Sequence, residues 1–454
     1  MNITALSLQM GENDFERRFV WYADKSVESA AIKYMLKTDF LKYKNFDNAK
    51  TVFGTVEDIY NNNVYVSCKV KIENLKPFAE YVYKVGDGTD FFDDIYSFKT
   101  PPISKKRSFA VISDLHCMYN PKNPELWEYR RPQWQNTLNQ INKFDGDIAC
   151  LISAGDNISS YNMGLEDDAE NLRLICEKEH EFLFEPPLMK QIPFATVMGN
   201  HEAQYYPKDN MASSVMGYHF CMPNDDGASG YVPHTTSGNF CFLSGDVLVI
   251  GLNFAVDISG NYAKTNYETN EKYIDFAVNK YSNATWRVIV THIQGYTFIG
   301  DSKNIETPYM MKKQDELCSK YNIDLMLTGH AHGFSRSYPI KSGNPLKDTV
   351  KNIDGVDVAS NIDATVHYNL PSALNHSFSS IFSEYQHYLK NYGVAKIRSK
   401  EPEMPCGFTE YDSPMFLHID VDEIDSKSRM VIKVIQSEDL KSVDNFMLVK
   451  TKKY

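Results

Sequence analysis

The chain has 454 residues, 43% of them hydrophobic, with eight cysteines and a formal net charge of −12 at pH 7. That length exceeds one ordinary core and predicts two or more structural units, while the negative balance argues against a nucleic-acid backbone as partner, whose binders carry a basic face. The cysteines form no Cys-x-x-Cys pair and no dense spacing, so they point to neither a zinc–thiolate site nor a disulfide scaffold.

The first residues show no basic segment followed by a long apolar one, and no run is long enough to span a bilayer. A soluble protein is expected, with no signal peptide in the sequence as given, and cytoplasmic on balance. From about residue 15 to residue 100 the text is β-like, with short apolar segments such as 18–22 and 64–70 separated by polar turns. Leu75, Pro77 and Tyr81 have the Leu-x-Pro-x-x-x-Tyr spacing of a tyrosine corner, in which the phenol caps the backbone at a sandwich edge. This stretch reads as a fibronectin-III-like sandwich. Pro101 and Pro102 then stiffen a short linker.

Residues 109–112 form an apolar run that stops at Asp114 and His116. A short run of Val, Ile and Phe without polar alternation predicts a strand buried on both faces. Side chains two apart on an extended backbone share a face, so Asp114 and His116 are expected to project together from its carboxyl end, where open α/β sheets place ligands. The pattern recurs four times. Residues 148–152 run into Gly155 and Asp156; residues 194–198 into Gly199, Asn200, His201 and Glu202; residues 288–290 into His292; and residues 325–327 into Gly329, His330 and His332. Five of the twelve histidines stand at these strand ends, a register that core packing does not explain. Glycine at the turn lets the backbone bend and brings the next side chain near a shared centre.

Between the motifs, Trp134, Leu138 and Ile141 recur at helical spacing after Pro132, and Leu172, Ile175, Phe182 and Leu183 suggest a second helix. Strand alternating with helix is the parallel crossover pattern. Residues 238–242 and 247–250 read as paired strands, and 267–281 as a helix. Residues 342–414 are polar and carry no motif; 416–421 and 430–435 predict a hairpin completing a sheet. The expected units are therefore 15–100, 105–340 and a C-terminal extension, 341–454.

Two aspartates, one asparagine and four histidines supply oxygen and imidazole donors with no thiolate, a set suited to Mn, Fe, Zn or Co. Seven donors are too many for one catalytic ion with open positions, and two ions sharing a carboxylate fit better. Such a pair, roughly 3.5 to 4 Å apart, lowers the pKa of a bridging water and clamps both oxygens of an in-line phosphoryl displacement. Hydrolysis of a phosphate ester is its natural use.

Asp114-x-His116, Gly155-Asp156, Gly199-Asn200-His201-Glu202, His292 and Gly329-His330-x-His332 together resemble the ordered motif set of the calcineurin-like metallophosphoesterases. The sandwich before them is similar to the N-terminal domain of purple-acid-phosphatase-like members. The resemblance implies an all-β fibronectin-III-like domain followed by an α/β metallophosphoesterase domain, a β-sandwich flanked by helices. It implies one divalent ion, most readily Mn, Fe or Zn, on Asp114, His116, Asp156 and His332, and a second on Asp156, Asn200, His292 and His330. His201 would donate a proton to the leaving oxygen or stabilise developing charge, and Glu202 would orient His201 or a neighbour, or stand as a solvated carboxylate. The implied reaction is phosphate-ester hydrolysis by in-line attack of a metal-bridging hydroxide on a small-molecule substrate, a monoester being favoured over a diester or nucleotide. A binding protein with a vestigial metal site is the reading from another class. Tyr119, Trp127, Tyr129, Tyr205 and Tyr206, in loops approaching the motifs, either stack on a base or sugar or pack the loops, and packing is the favoured role.

One departure stands out. Purple acid phosphatases carry a non-ligand in place of the first-motif histidine and a tyrosine three residues after the bridging aspartate; here those positions are His116 and Ser159. The protein as isolated is therefore expected to be colourless. An intense visible charge-transfer band in its absorption spectrum would contradict this.

Overall fold

In the computed structural model, residues 2–59, 62–119, 124–159, 169–203, 217–225, 238–253, 262–296, 306–374, 377–380, 390–396, 408–411 and 414–451 are described. The apolar runs that end in the motifs form strands of two facing sheets. Arg107–Ile112, Cys150–Ser153 and Phe194–Thr196 lie parallel and adjacent in a 12-stranded sheet. Trp286–Val290 and Leu325–Thr328 lie parallel in a seven-stranded one. Their burial on both faces explains the missing polar alternation. Val288, Val290, Leu325 and Leu327 point into the core shared with the first sheet. Ile289 and Met326, one residue out of phase, pack beneath Tyr267, Ile274 and Leu317 of the helices Tyr262–Lys280 and Glu306–Tyr321.

The helices Pro124–Phe144 and Ala169–Phe184 make the crossovers between the first three motif strands. The first begins before Pro132 rather than after it, and Pro132 lies within it. Trp127, in its opening turns, packs on Phe182 with ring centroids 4.9 Å apart, and this contact secures the turns upstream of the proline.

The N-terminal sandwich packs Phe19, Trp21, Tyr34, Tyr83 and Phe98 between its sheets. At the expected tyrosine corner, the Tyr81 hydroxyl accepts a hydrogen bond of 2.8 Å from the Lys76 amide. Two boundaries differ from expectation. A strand, Ile3–Met10, precedes residue 15 and joins the two units, pairing antiparallel with Arg17–Asp24 and parallel with Phe194–Thr196. Residue 340 does not separate two cores: Val366–Asn369 lies parallel beside Leu325–Thr328. Met415–Ile424 and Lys427–Gln436 form the expected hairpin, whose first strand runs antiparallel to Arg107–Ile112, and a further strand, Ser442–Thr451, extends it into a meander. Only Ser442–Thr451 went unread, and together the three strands fill the shared core with Phe416, Ile432, Phe446 and Leu448.

A buried ion pair ties the units together. Asp14, just beyond the first strand, accepts hydrogen bonds from Arg107 Nη2 at 2.6 Å and Nε at 3.0 Å, from Ser244 Oγ at 2.5 Å and from the Gly245 amide at 2.9 Å. Arg107 opens the first motif strand, and Ser244 and Gly245 form a hairpin turn of the second sheet. Removing one partner of a buried pair strands the other charge, at a cost of about 3–5 kcal/mol. Arg107→Met is expected to lose that much stability, read as a lowered urea midpoint at unchanged pH.

Candidate metal centre

The strands deliver the motifs, but the turns after them aim the side chains. Asp114 and His116 do not project from an extended strand end as expected: the strand stops at Ile112, and both residues adopt left-handed backbone, with φ of 52° and 46°. Asp156 (51°), His330 (72°) and His332 (58°) do the same. Each such non-glycine residue costs on the order of 1 kcal/mol or more and persists only where the surroundings over-determine it. Here a ladder of backbone bonds does so. The Asp114, His116 and Cys117 amides donate to Gly155, Asp156 and Asn157 carbonyls at 3.0, 2.9 and 2.7 Å, and the Gly329 amide donates to the His292 carbonyl at 2.9 Å. The His330 amide donates to both carboxylate oxygens of Asp114 at 3.0 Å. Gly199 is required by close approach, since a Cβ there would lie 2.0 Å from Asp156 Oδ1.

The aspartates and histidines among the seven side chains read as ligands, with His201, fall into three overlapping groups, Asp114–His116–His332, His116–Asp156–His201 and Asp156–His292–His330, and Asn200 joins the last, so the seven make two lobes about Asp156. In one, His116 Nε2 lies 3.0 Å from His332 Nε2, and His332 Nε2 lies 3.5 Å from Asp114 Oδ1. In the other, Asn200 Oδ1 lies 2.9 Å from His292 Nε2 and 2.7 Å from His330 Nδ1. Asp156 stands between them, with Oδ2 at 3.1 Å from His292 Nε2 and 3.8 Å from His116 Nε2. His330 is exposed at the rim, whereas Asp114, His116, Asp156 and His292 are buried. His201 flanks the lobes, its ring edge-on to His116 and its Nε2 3.9 Å from Asp156 Oδ2.

The chemistry of this donor set fits a pair of divalent ions. His292 Nδ1 donates to the Ala154 carbonyl at 2.8 Å, which turns the Nε2 lone pair toward Asp156 and Asn200, the arrangement typical of a metal-ligating imidazole. Burial raises Asp114, and the neighbouring charge of Asp156 adds to the effect. Burial also works against ionisation of Asp156, but His292 and His201 outweigh it and hold that carboxyl well below the usual range. Burial likewise opposes charge on His292, yet Asp156 and Asp114 raise it to about 9. The lobes therefore demand positive charge, which a divalent ion satisfies with release of the proton.

Of the roles the sequence offered Glu202, the geometry favours orienting a neighbour over a solvated carboxylate: it is buried, and its carboxylate accepts the amides of Asp156 at 3.0 Å, Asn157 at 2.6 Å and Gly199 at 2.7 Å. Burial, with the charge of Asp156, pushes it up to about 7. Sequence reading missed Glu179 and Arg130, which touch the first two motif loops; lying on helices outside every motif, they gave no signal. Ser159 is buried at the end of the second motif loop. Tyr119 and Trp127 pack on each other edge-on at 5.2 Å, in keeping with loop packing, and Tyr129 is exposed. Tyr205 and Tyr206 lie outside the described residues.

Facing sheets whose strand ends gather oxygen and imidazole donors around a shared aspartate define a metallophosphoesterase-type centre. Residues 107–334 match the family model described as calcineurin-like phosphoesterase, and the chain belongs to that family. Residues 3–100 match the purple acid phosphatase N-terminal domain. Purple acid phosphatase 15 of Arabidopsis thaliana is 25% identical over 288 residues, covering 59% of this chain and 49% of that one. Probable inactive purple acid phosphatase 24 of the same plant is 22% identical over 326 residues, covering 68% and 49%. The chain thus spans about half the length of these curated relatives. The structure of purple acid phosphatase PPD1 from yellow lupin (Lupinus luteus) seeds superposes with a TM-score of 0.67 at 15% identity, covering 99% of this chain and 74% of that one, and shares its fold. No helix among the described residues is long and apolar enough to cross a membrane.

Asp156→Ala, which removes the group common to both lobes, is expected to leave the protein with neither ion after reloading. Elemental analysis of the desalted protein checks this, and retention of one ion per chain would place the bridge elsewhere.

Proposed function

We propose that the chain hydrolyses small phosphate esters, monoesters foremost, at a dinuclear centre of divalent Mn, Fe or Zn. Asp114, His116, Asp156 and His332 hold one ion, and Asp156, Asn200, His292 and His330 the other. The observation that carries this reading is the convergence of those seven side chains on two lobes that share Asp156. When bound, such a pair lowers the pKa of a water between them and clamps both oxygens of an in-line displacement. The chain's own contribution is orientation. Its turns fix the donors in place before substrate arrives, and the His201 amide, donating to Asp156 Oδ1 at 2.8 Å, sets that ring beside the shared carboxylate. From there His201 protonates the leaving oxygen or stabilises its developing charge. The phosphatase names of the matched relatives support the monoester preference, and the absence of a tyrosine at Ser159 supports divalent ions in both lobes.

The test is turnover of a nitrophenyl phosphate monoester beside the bis(nitrophenyl) diester, after the protein is stripped and reloaded separately with Mn, Zn, Fe and Co. Faster monoester cleavage is expected; faster diester cleavage would make the protein a phosphodiesterase. Absence of both stoichiometric metal and turnover would favour a binding protein with a silent site; two of the similar plant proteins are named probable inactive purple acid phosphatases. His201→Ala is expected to keep both ions and lose about 10²- to 10⁴-fold in rate. The loss should be larger for poor leaving groups, and the opposite order would remove the acid role.

A further inference from the structure

The two most exposed large apolar side chains among the described residues, Phe78 and Ile103, at 82% and 81%, belong to segments that the backbone stitches together. The Phe78 amide donates to the Pro101 carbonyl at 3.0 Å, two residues before Ile103. Neither segment hangs loose. Thr100 Oγ1 accepts the Ala79 amide at 3.0 Å and donates to the Lys76 carbonyl at 2.6 Å, and the Lys76 amide is the one that Tyr81 caps. Arg107, besides holding Asp14, donates to the Pro102 carbonyl at 3.1 Å and the Lys106 carbonyl at 2.5 Å, on either side of Ile103. Phe78 also has left-handed backbone, with φ of 49°, which a bulky side chain avoids. The fold thus tolerates strain to hold a phenyl ring in water.

Lysines flank both residues: Lys76, Lys105 and Lys106 are exposed, as are Pro77 and Pro102. At this end of the sandwich Glu73, Glu80, Asp147 and Asp246 pair with Lys71, Lys37, Lys99 and Lys105, and Glu423 lies 3.9 Å from Lys105. Lys76 and Lys106 keep no ion pair among the described residues. We propose that Phe78 and Ile103 are prongs that enter the interfacial layer of an anionic lipid bilayer, with Lys76 and Lys106 resting on its headgroups. Charge and shape select this partner. A chain of net charge −12 is repelled by such a surface except where lysines exceed carboxylates. Side chains this exposed project outward, and two of them are too few to build the roughly 800 Å² per partner of a stable protein interface. A bilayer, in contrast, takes up a few apolar side chains backed by basic ones. The prongs stand where the strand Arg107–Ile112 begins, and the metal motif follows its other end, about 20 Å further on. Docking in this pose leaves the metal centre on the side away from the lipid.

The experiment is co-sedimentation of the full chain with vesicles of phosphatidylcholine, alone or mixed equally with phosphatidylserine. The mixed vesicles should take up the chain, and added salt should release it. Phe78→Ser with Ile103→Ser is expected to weaken that binding about 10-fold or more, because the apolar contact is lost. Lys76→Glu with Lys106→Glu should weaken it about 10-fold as well. Tryptophan emission from Phe78→Trp should shift to the blue with the mixed vesicles. Circular dichroism melting reports folding in each case; if the first double variant unfolds, the lysine variant and Phe78→Trp carry the test. Failure of the parent protein to bind the mixed vesicles, or binding that either folded double variant leaves unchanged, would overturn the lipid assignment. A dimer at sedimentation equilibrium that Phe78→Ser with Ile103→Ser dissolves would also overturn it, and would give these side chains to a second copy of the chain.

Discussion

Everything at this centre depends on holding unfavourable backbone in place. Five of the seven clustered side chains hang from residues in the left-handed region, a conformation that L-residues avoid because Cβ crowds the following carbonyl. No single contact compensates for this. The extended hydrogen bonding of the sheets continues past the strand ends into the loops, and buried carboxylates collect the amides that the ladder leaves over. The same turns crowd aspartate and histidine donors together in a region with little water, where their mutual charges are strong. Rigidity and the demand for cations thus have one cause.

That arrangement explains what could be read from the chain and what could not. The motif strands were legible because their second face is covered by helices, which removes polar alternation and leaves short apolar runs. The donor types were legible because Asp, Asn and His at five strand ends have little other reason to coincide. The aim of the side chains was not: alternation along a strand predicts that Asp114 and His116 share a face, whereas the structure turns both after the strand has ended. Glu179 and Arg130 were invisible because nothing local marks them. Their role exists only once the helices that carry them pack beside loops distant in sequence.

The N-terminal sandwich was legible from its turn spacing and its Leu75 to Tyr81 corner, but its relation to the rest was not. Sequence reading treats Pro101 and Pro102 as a linker between two bodies. In the structure, Ile3–Met10 runs between the two units as a shared strand, and Asp14 grips the first motif strand beside the linker. The sandwich is in this way continuous with the sheet that carries the metal motifs.

The strand order carries a consequence for how the chain reaches this state. Arg107–Ile112, which leads to Asp114, has Met415–Ile424 on one side; two strands away on the other, Phe194–Thr196 pairs with Ile3–Met10. The sheet beneath the centre is therefore assembled from both extremes of the described chain. Contacts of such sequence separation form late, because loop-closure entropy must be overcome before they contribute. During synthesis the first strand would wait, one edge unpaired, until residue 194 has emerged, and the first motif strand until residue 415 has. A stretch more than 300 residues further along the sequence is thus needed to complete the floor beneath the first motif.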